Sequence, residues 1–251
     1  MAQIDNRYAT GFGSRTGVAV DEGLRAYMLR VYNYMAAGIF LTGVVAYVTA
    51  SSAITRTPAG GKALTEFGQV IYASPLKWVI MLAPLGFVFF LSFRIYKMSV
   101  GAAQLSFWLF AAAMGLSLSS IFLVYTGQSI SQVFFVTAAA FGGLSLYGYT
   151  TKKDLSGWGS FLIMGVIGVI IASLVNLFLQ SGALQFAISV IGVLVFAGLT
   201  AYDTQRIKDG YFDVMSDATA TSKAAIMGAL NLYLDFINMF TMMLQLFGNR
   251  E

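Results

Sequence analysis

Leu230-Asn-Leu-Tyr-Leu-Asp-Phe-Ile-Asn-Met-Phe240 is an apolar run with a carboxylate at its middle. A carboxylate at the centre of a bilayer costs about 2.5–3.5 kcal/mol on insertion scales, so such a group marks a functional site unless it has another use. Reading outward, Asn231, Asp235, Asn238, Thr241 and Gln245 follow at intervals of four, three, three and four. At 3.6 residues per turn that spacing draws one polar stripe along a helix. Leu232, Leu234, Phe236, Ile237, Phe240, Met243 and Leu244 fill the rest of the surface. The stripe must face other helices or water, so the segment reads as a transmembrane helix buried by its neighbours. Interhelical hydrogen bonding accounts for the Asn, Thr and Gln members. It does not by itself call for an ionisable Asp235.

The rest of the chain supplies those neighbours. The 251 residues are 58% hydrophobic and 10% charged, against about 25% charged in soluble proteins. A membrane crossing takes about 20 apolar residues. Seven stretches meet that length, roughly 31–52, 76–96, 101–125, 129–150, 158–180, 184–206 and 224–247. The expectation is an all-α membrane protein, a seven-transmembrane-helix bundle over residues 30–251, preceded by a polar N-terminal segment, 1–29, with no secretory signal. Gly11-Phe-Gly-Ser-Arg-Thr-Gly17 within it lacks the strand and the Lys-Ser/Thr ending of a phosphate loop and reads as a flexible tail. Lys and Arg divide eleven to four between the two sides of this topology. By the positive-inside rule the N-terminus is cytoplasmic and the C-terminus outside. That division also explains the basic residues without nucleic acid. Ala111/Gly115/Ser119, Ala138/Gly142 and Gly168/Ala172 place small residues four apart, a pattern for close helix packing.

Neither Cys nor His occurs. Disulfides, thiolate metal sites, cysteine nucleophiles and histidine switches are excluded, so proton sensing falls to carboxylates. The second intramembrane acid is Asp203, in Gly198-Leu-Thr-Ala-Tyr-Asp-Thr-Gln-Arg-Ile-Lys208. It shares a face with Ser189 and Thr200. Two carboxylates that meet in a low-dielectric site share a proton and titrate as a pair. Fully deprotonated, they offer oxygen ligands to a hard cation such as Ca²⁺. Depth alone does not establish the meeting, because Asp203 lies near the expected end of its helix and Asp235 about 16 Å into the next. Intramembrane acid proteases also use two aspartates, but their Gly-x-Gly-Asp context is missing at both positions, so the reading is not enzymatic. Tyr202 and Tyr233, beside the acids, read as packing or interfacial residues with gating as the alternative.

Ala201-Tyr-Asp-Thr-Gln-Arg-Ile-Lys208 and Leu232-Tyr-Leu-Asp-Phe-Ile-Asn238 resemble the bacterial branch of the Bax inhibitor 1 family, the transmembrane Bax inhibitor motif proteins. Gly23-Leu-Arg-Ala-Tyr-Met-Leu-Arg-Val-Tyr-Asn33 and Ser74-Pro-Leu-Lys77 extend the likeness. The resemblance implies seven helices with the seventh central, wrapped by the other six, and a pH-sensitive calcium leak gated by Asp203 and Asp235. It implies no cofactor; Ca²⁺ and protons are what the protein would handle, in the bacterial inner membrane. It further implies a latch from an Arg at the end of the second helix, for which Arg94 in Leu91-Ser-Phe-Arg-Ile-Tyr-Lys97 is the nearest match; snorkelling and orientation are the alternative role. A non-conducting regulator that binds a membrane protease is the second function the resemblance admits, with the N-terminal segment as the docking element.

Overall fold

The computed structural model describes residues 7–56 and 61–250, with side chains from residue 21 onward except at Arg56. Seven long helices carry the chain: α1 (Arg7–Ala53), α2 (Leu76–Arg94), α3 (Val100–Leu118), α4 (Gly127–Thr150), α5 (Ser156–Leu179), α6 (Gly182–Val214) and α7 (Ala218–Phe247). Each contains a stretch long and apolar enough to cross a membrane. Several starts are set by side chains that satisfy the orphan amides of a first turn. Ser99 accepts from Ala102, Thr126 from Ser129, Ser181 from Leu184 and Asp217 from Thr219. The α5–α6 link is tight because Gln180 takes a left-handed φ of 49° while Asn176 accepts from the Ser181 amide at 2.9 Å.

Two helices run well beyond their expected limits. The α1 helix begins at Arg7, so Gly11–Gly17 is helical and not a tail; residues 1–6 of the expected N-terminal segment lie outside the described residues. The α6 helix continues to Val214, and only Met215–Asp217 separates it from α7. The polar 207–223 stretch hid two anchors: Ile207 and Tyr211 are buried, and Tyr211 lies 5.2 Å from the Tyr27 ring. The 53–75 loop has structure of its own, an antiparallel pair of β1 (Ile54–Arg56) and β2 (Lys62–Leu64).

The α7 helix is the core. In its most apolar window 61% of the residues are buried, against 17% in those of α2 and α5. It packs on α6, α1, α4 and α3, and touches the 3-10 turn Ile95–Lys97 that ends α2. The α2 and α5 helices lean chiefly on α3 and α6. The centre is therefore α7 as expected, but four helices rather than six form its main wrapping.

Of the three small-residue patterns only one is a helix crossing. A Cβ on Gly115 would come within 2.6 Å of the Thr42 carbonyl of α1, whereas Gly142 and Gly168 face open space. A closer crossing than that at Gly115 joins α4 to α6, where a Cβ on Gly148 would sit 2.2 Å from the Ala201 carbonyl. Backbone on both sides leaves nothing to repack. Gly148→Ala should destabilise the detergent-solubilised protein by about 1–3 kcal/mol, and Gly168→Ala should not. Thermal unfolding of the two variants checks this; equal melting temperatures would disprove the crossing.

Candidate functional site

Asp235 is 4% exposed and sits in the interface of α7 with α6. Its Oδ2 is the one buried side-chain oxygen or nitrogen among the described residues that has no hydrogen-bond partner. Buried polar atoms are paired in the great majority of cases, so the orphan marks a site that packing does not explain. Asp203, half-buried on α6, is the neighbouring charge in Coulombic reach of Asp235. Gly228 lies against Ile207 and Gly192 against Met242. That antiparallel register sets Asp235 opposite Thr200 and Asp203 opposite Leu232, one helical turn or about 5 Å apart along the axis. The offset agrees with the absence of any hydrogen bond between the two carboxyls among the described residues. The extension of α6 past Asp203 supplies the depth that a helix ending at Arg206 could not.

The remaining stripe residues divide by partner. Gln245 accepts from Ser189 of α6 at 2.9 Å and from Gln185 at 2.5 Å, so it is interhelical as expected. Asn238 donates to the Leu234 carbonyl and Thr241 to the Asn238 carbonyl, both within α7. Asn231 has no hydrogen bond among the described residues and lines a cavity of about 500 Å³ with Tyr27, Tyr96, Tyr202, Arg206 and Asp209. The cavity occupies the end of the bundle where α6 leads into α7, and Asn231 is one turn from Asp235 along the stripe. A polar approach to the acid therefore exists from that end only as far as Asn231.

Arg94 does not reach Asp203. It is exposed and makes no ion pair or hydrogen bond among the described residues. The reason is local: Leu91 and Ile95 are fully buried and anchor the 3-10 turn, which turns Arg94 outward. The cation that acts on Asp203 is Arg206, one turn along the same helix. Three or more acidic residues do not cluster anywhere among the described residues. Two staggered carboxylates give fewer oxygens than the six to eight of a Ca²⁺ cage.

The family model described as "Inhibitor of apoptosis-promoting Bax1" matches residues 24–251, which include both acids. The chain belongs to the Bax inhibitor family. A protein of Caulobacter vibrioides is 47% identical with each chain covered in full. A protein of Rickettsia prowazekii is 46% identical over 92% of both chains. The "Inner membrane protein YbhL" of Escherichia coli K12 is 46% identical over 91% of this chain and 94% of its own. With seven candidate spans, the family member described here is an integral membrane protein.

Sequence reasoning missed the hydroxyl pairs that fix this family member's core. Tyr233 bonds Thr42 at 2.6 Å, and Thr42 donates to the Ala111 carbonyl at 2.8 Å, tying α7 to α1 and α1 to α3. The Tyr32–Ser145 (2.7 Å) and Ser145–Thr204 (2.9 Å) pairs tie α1, α4 and α6. Tyr233 also packs 5.1 Å from the Phe110 ring, so it is a packing residue. No sequence signal announces these pairs, since each joins residues at least 59 apart. Tyr233→Phe should cost about 1 kcal/mol for its lost hydrogen bond. Asp235→Leu removes an unsatisfied buried group and should melt at or above the wild-type temperature. A melting point several degrees lower for Asp235→Leu would make the carboxylate a structural member.

Proposed function

We propose that the protein is a pH-sensitive calcium leak whose gate is the staggered pair Asp203 and Asp235. The observation that carries this reading is the orphan Oδ2 of Asp235, buried beyond the polar cavity that ends at Asn231. An unsatisfied acid is retained against its cost when it must change protonation or partner. Family membership supports the reading, since both aspartate motifs fall within the matched residues. The membrane is the bacterial inner membrane, by likeness to the Escherichia coli relative. The N-terminus is cytoplasmic, because the basic residues of the cavity end, Arg206 and Lys208 among them, belong to the majority side of the count.

In this reading the ionised pair attracts a divalent cation from the cavity, and Arg206, one turn along the same helix from Asp203, favours the ionised state of that acid. Acidification protonates the pair. Protonation removes charge from the cation site and weakens cation binding, so that an ion that enters also leaves. Flux therefore rises as pH falls.

Calcium-dye flux from proteoliposomes over a pH series tests it. Asp203→Asn should leak about tenfold more than wild type near neutral pH, equivalent to about 1.4 kcal/mol in the gating equilibrium, and should lose most of its acid response. Arg206→Ala should shift the profile in the same direction. Arg94→Ala should leave it in place. A wild-type profile in Asp203→Asn would make the pair structural.

A further inference from the structure

A second cavity lies on the outside of the bundle, between α1 and α4. Its volume is about 560 Å³, and Arg25, Leu29, Tyr32, Gly142, Ser145 and Leu146 line it. Leu29 and Leu146 are exposed at 50% and 61%, so the groove opens sideways onto the surface that the bilayer covers. Its depth comes from Gly142, where an added Cβ would meet nothing within 4 Å. Its inner wall is held in place by the Tyr32–Ser145–Thr204 hydroxyl chain. The volume falls in the range of about 300–1,000 Å³ that small-molecule sites occupy.

The charge at its mouth identifies the occupant. Arg25 is exposed and has no ion pair or hydrogen bond among the described residues. It stands at the membrane end where Tyr149 also lines the groove, and Lys208 donates to the Tyr149 carbonyl at 3.1 Å. An apolar channel open to the acyl region, with a guanidinium at its interfacial end, matches an anionic phospholipid. An acyl chain would lie along Gly142 and Leu146, with its phosphate at Arg25. Basic pockets between transmembrane helices recognise anionic headgroups in this way, and the guanidinium fork suits phosphate.

We infer that the α1–α4 groove is a binding site for one anionic phospholipid, selected by Arg25 and seated over Gly142. The inference does not depend on ion conduction. Native mass spectrometry of the delipidated full-length protein in detergent, titrated with phosphatidylglycerol or phosphatidylcholine, reads it directly. Phosphatidylglycerol should bind about tenfold more tightly, as one charge-assisted contact supplies. Arg25→Gln should abolish that preference and Arg25→Lys should keep part of it. Gly142→Leu should weaken both lipids, and inorganic phosphate should displace neither. Equal affinity for the two lipids, a preference that survives Arg25→Gln, unchanged binding in Gly142→Leu, or displacement by inorganic phosphate would each overturn the site.

Discussion

An unpaired carboxyl oxygen inside a hydrocarbon-bounded bundle is the constraint around which this protein is arranged. Asp235 cannot face lipid, and the α7 surface that carries it cannot either. The helix must be enclosed, and α1, α3, α4 and α6 enclose it. The approach of α6 matters most, because it brings Asp203 within electrostatic reach of Asp235 and sets the two one turn apart. That stagger leaves the inner acid without a direct partner, while Arg206 acts on its neighbour from one turn along α6.

The contrast with the other buried polar groups sharpens the point. Thr42, Ser145, Thr200 and Thr204 are all buried, and each has its hydrogen bond. Most are short hydroxyl side chains that can turn back to their own helix or reach one neighbour, which makes them inexpensive ties in a membrane. Helix crossings at Gly115 and Gly148 bring backbones close enough for these short side chains to meet. The fold therefore satisfies its polar groups in general and leaves Asp235 Oδ2 unsatisfied in particular. A buried polar atom left without a partner carries a cost in stability.

Much of this was legible in the residues. The seven spans, the burial of the last helix and the two acids all follow from hydropathy and from a spacing of three and four, because a bilayer penalises polar groups whatever the fold. Other features were not legible. The continuation of α6 to Val214 depends on Ile207 and Tyr211 finding a surface on α1 and α7, and no local pattern reports a distant surface. Small-residue spacing pointed equally to Gly115, Gly142 and Gly168, yet only Gly115 meets another backbone. Arg94 looked like a partner for Asp203 until the burial of Leu91 and Ile95 fixed which way the turn at the end of α2 faces.

The sequence by itself determined that the chain spans a membrane seven times and that the seventh helix is buried among the others. It also determined that carboxylates are the titratable groups available near neutral pH, since solvation and composition decide all three. Only the tertiary structure decided how α6 and α7 slide against each other, which cation stands beside Asp203, and where the bundle leaves a groove. Those depend on which side chains interdigitate between segments far apart in the chain, and the contacts exist only once the helices have packed.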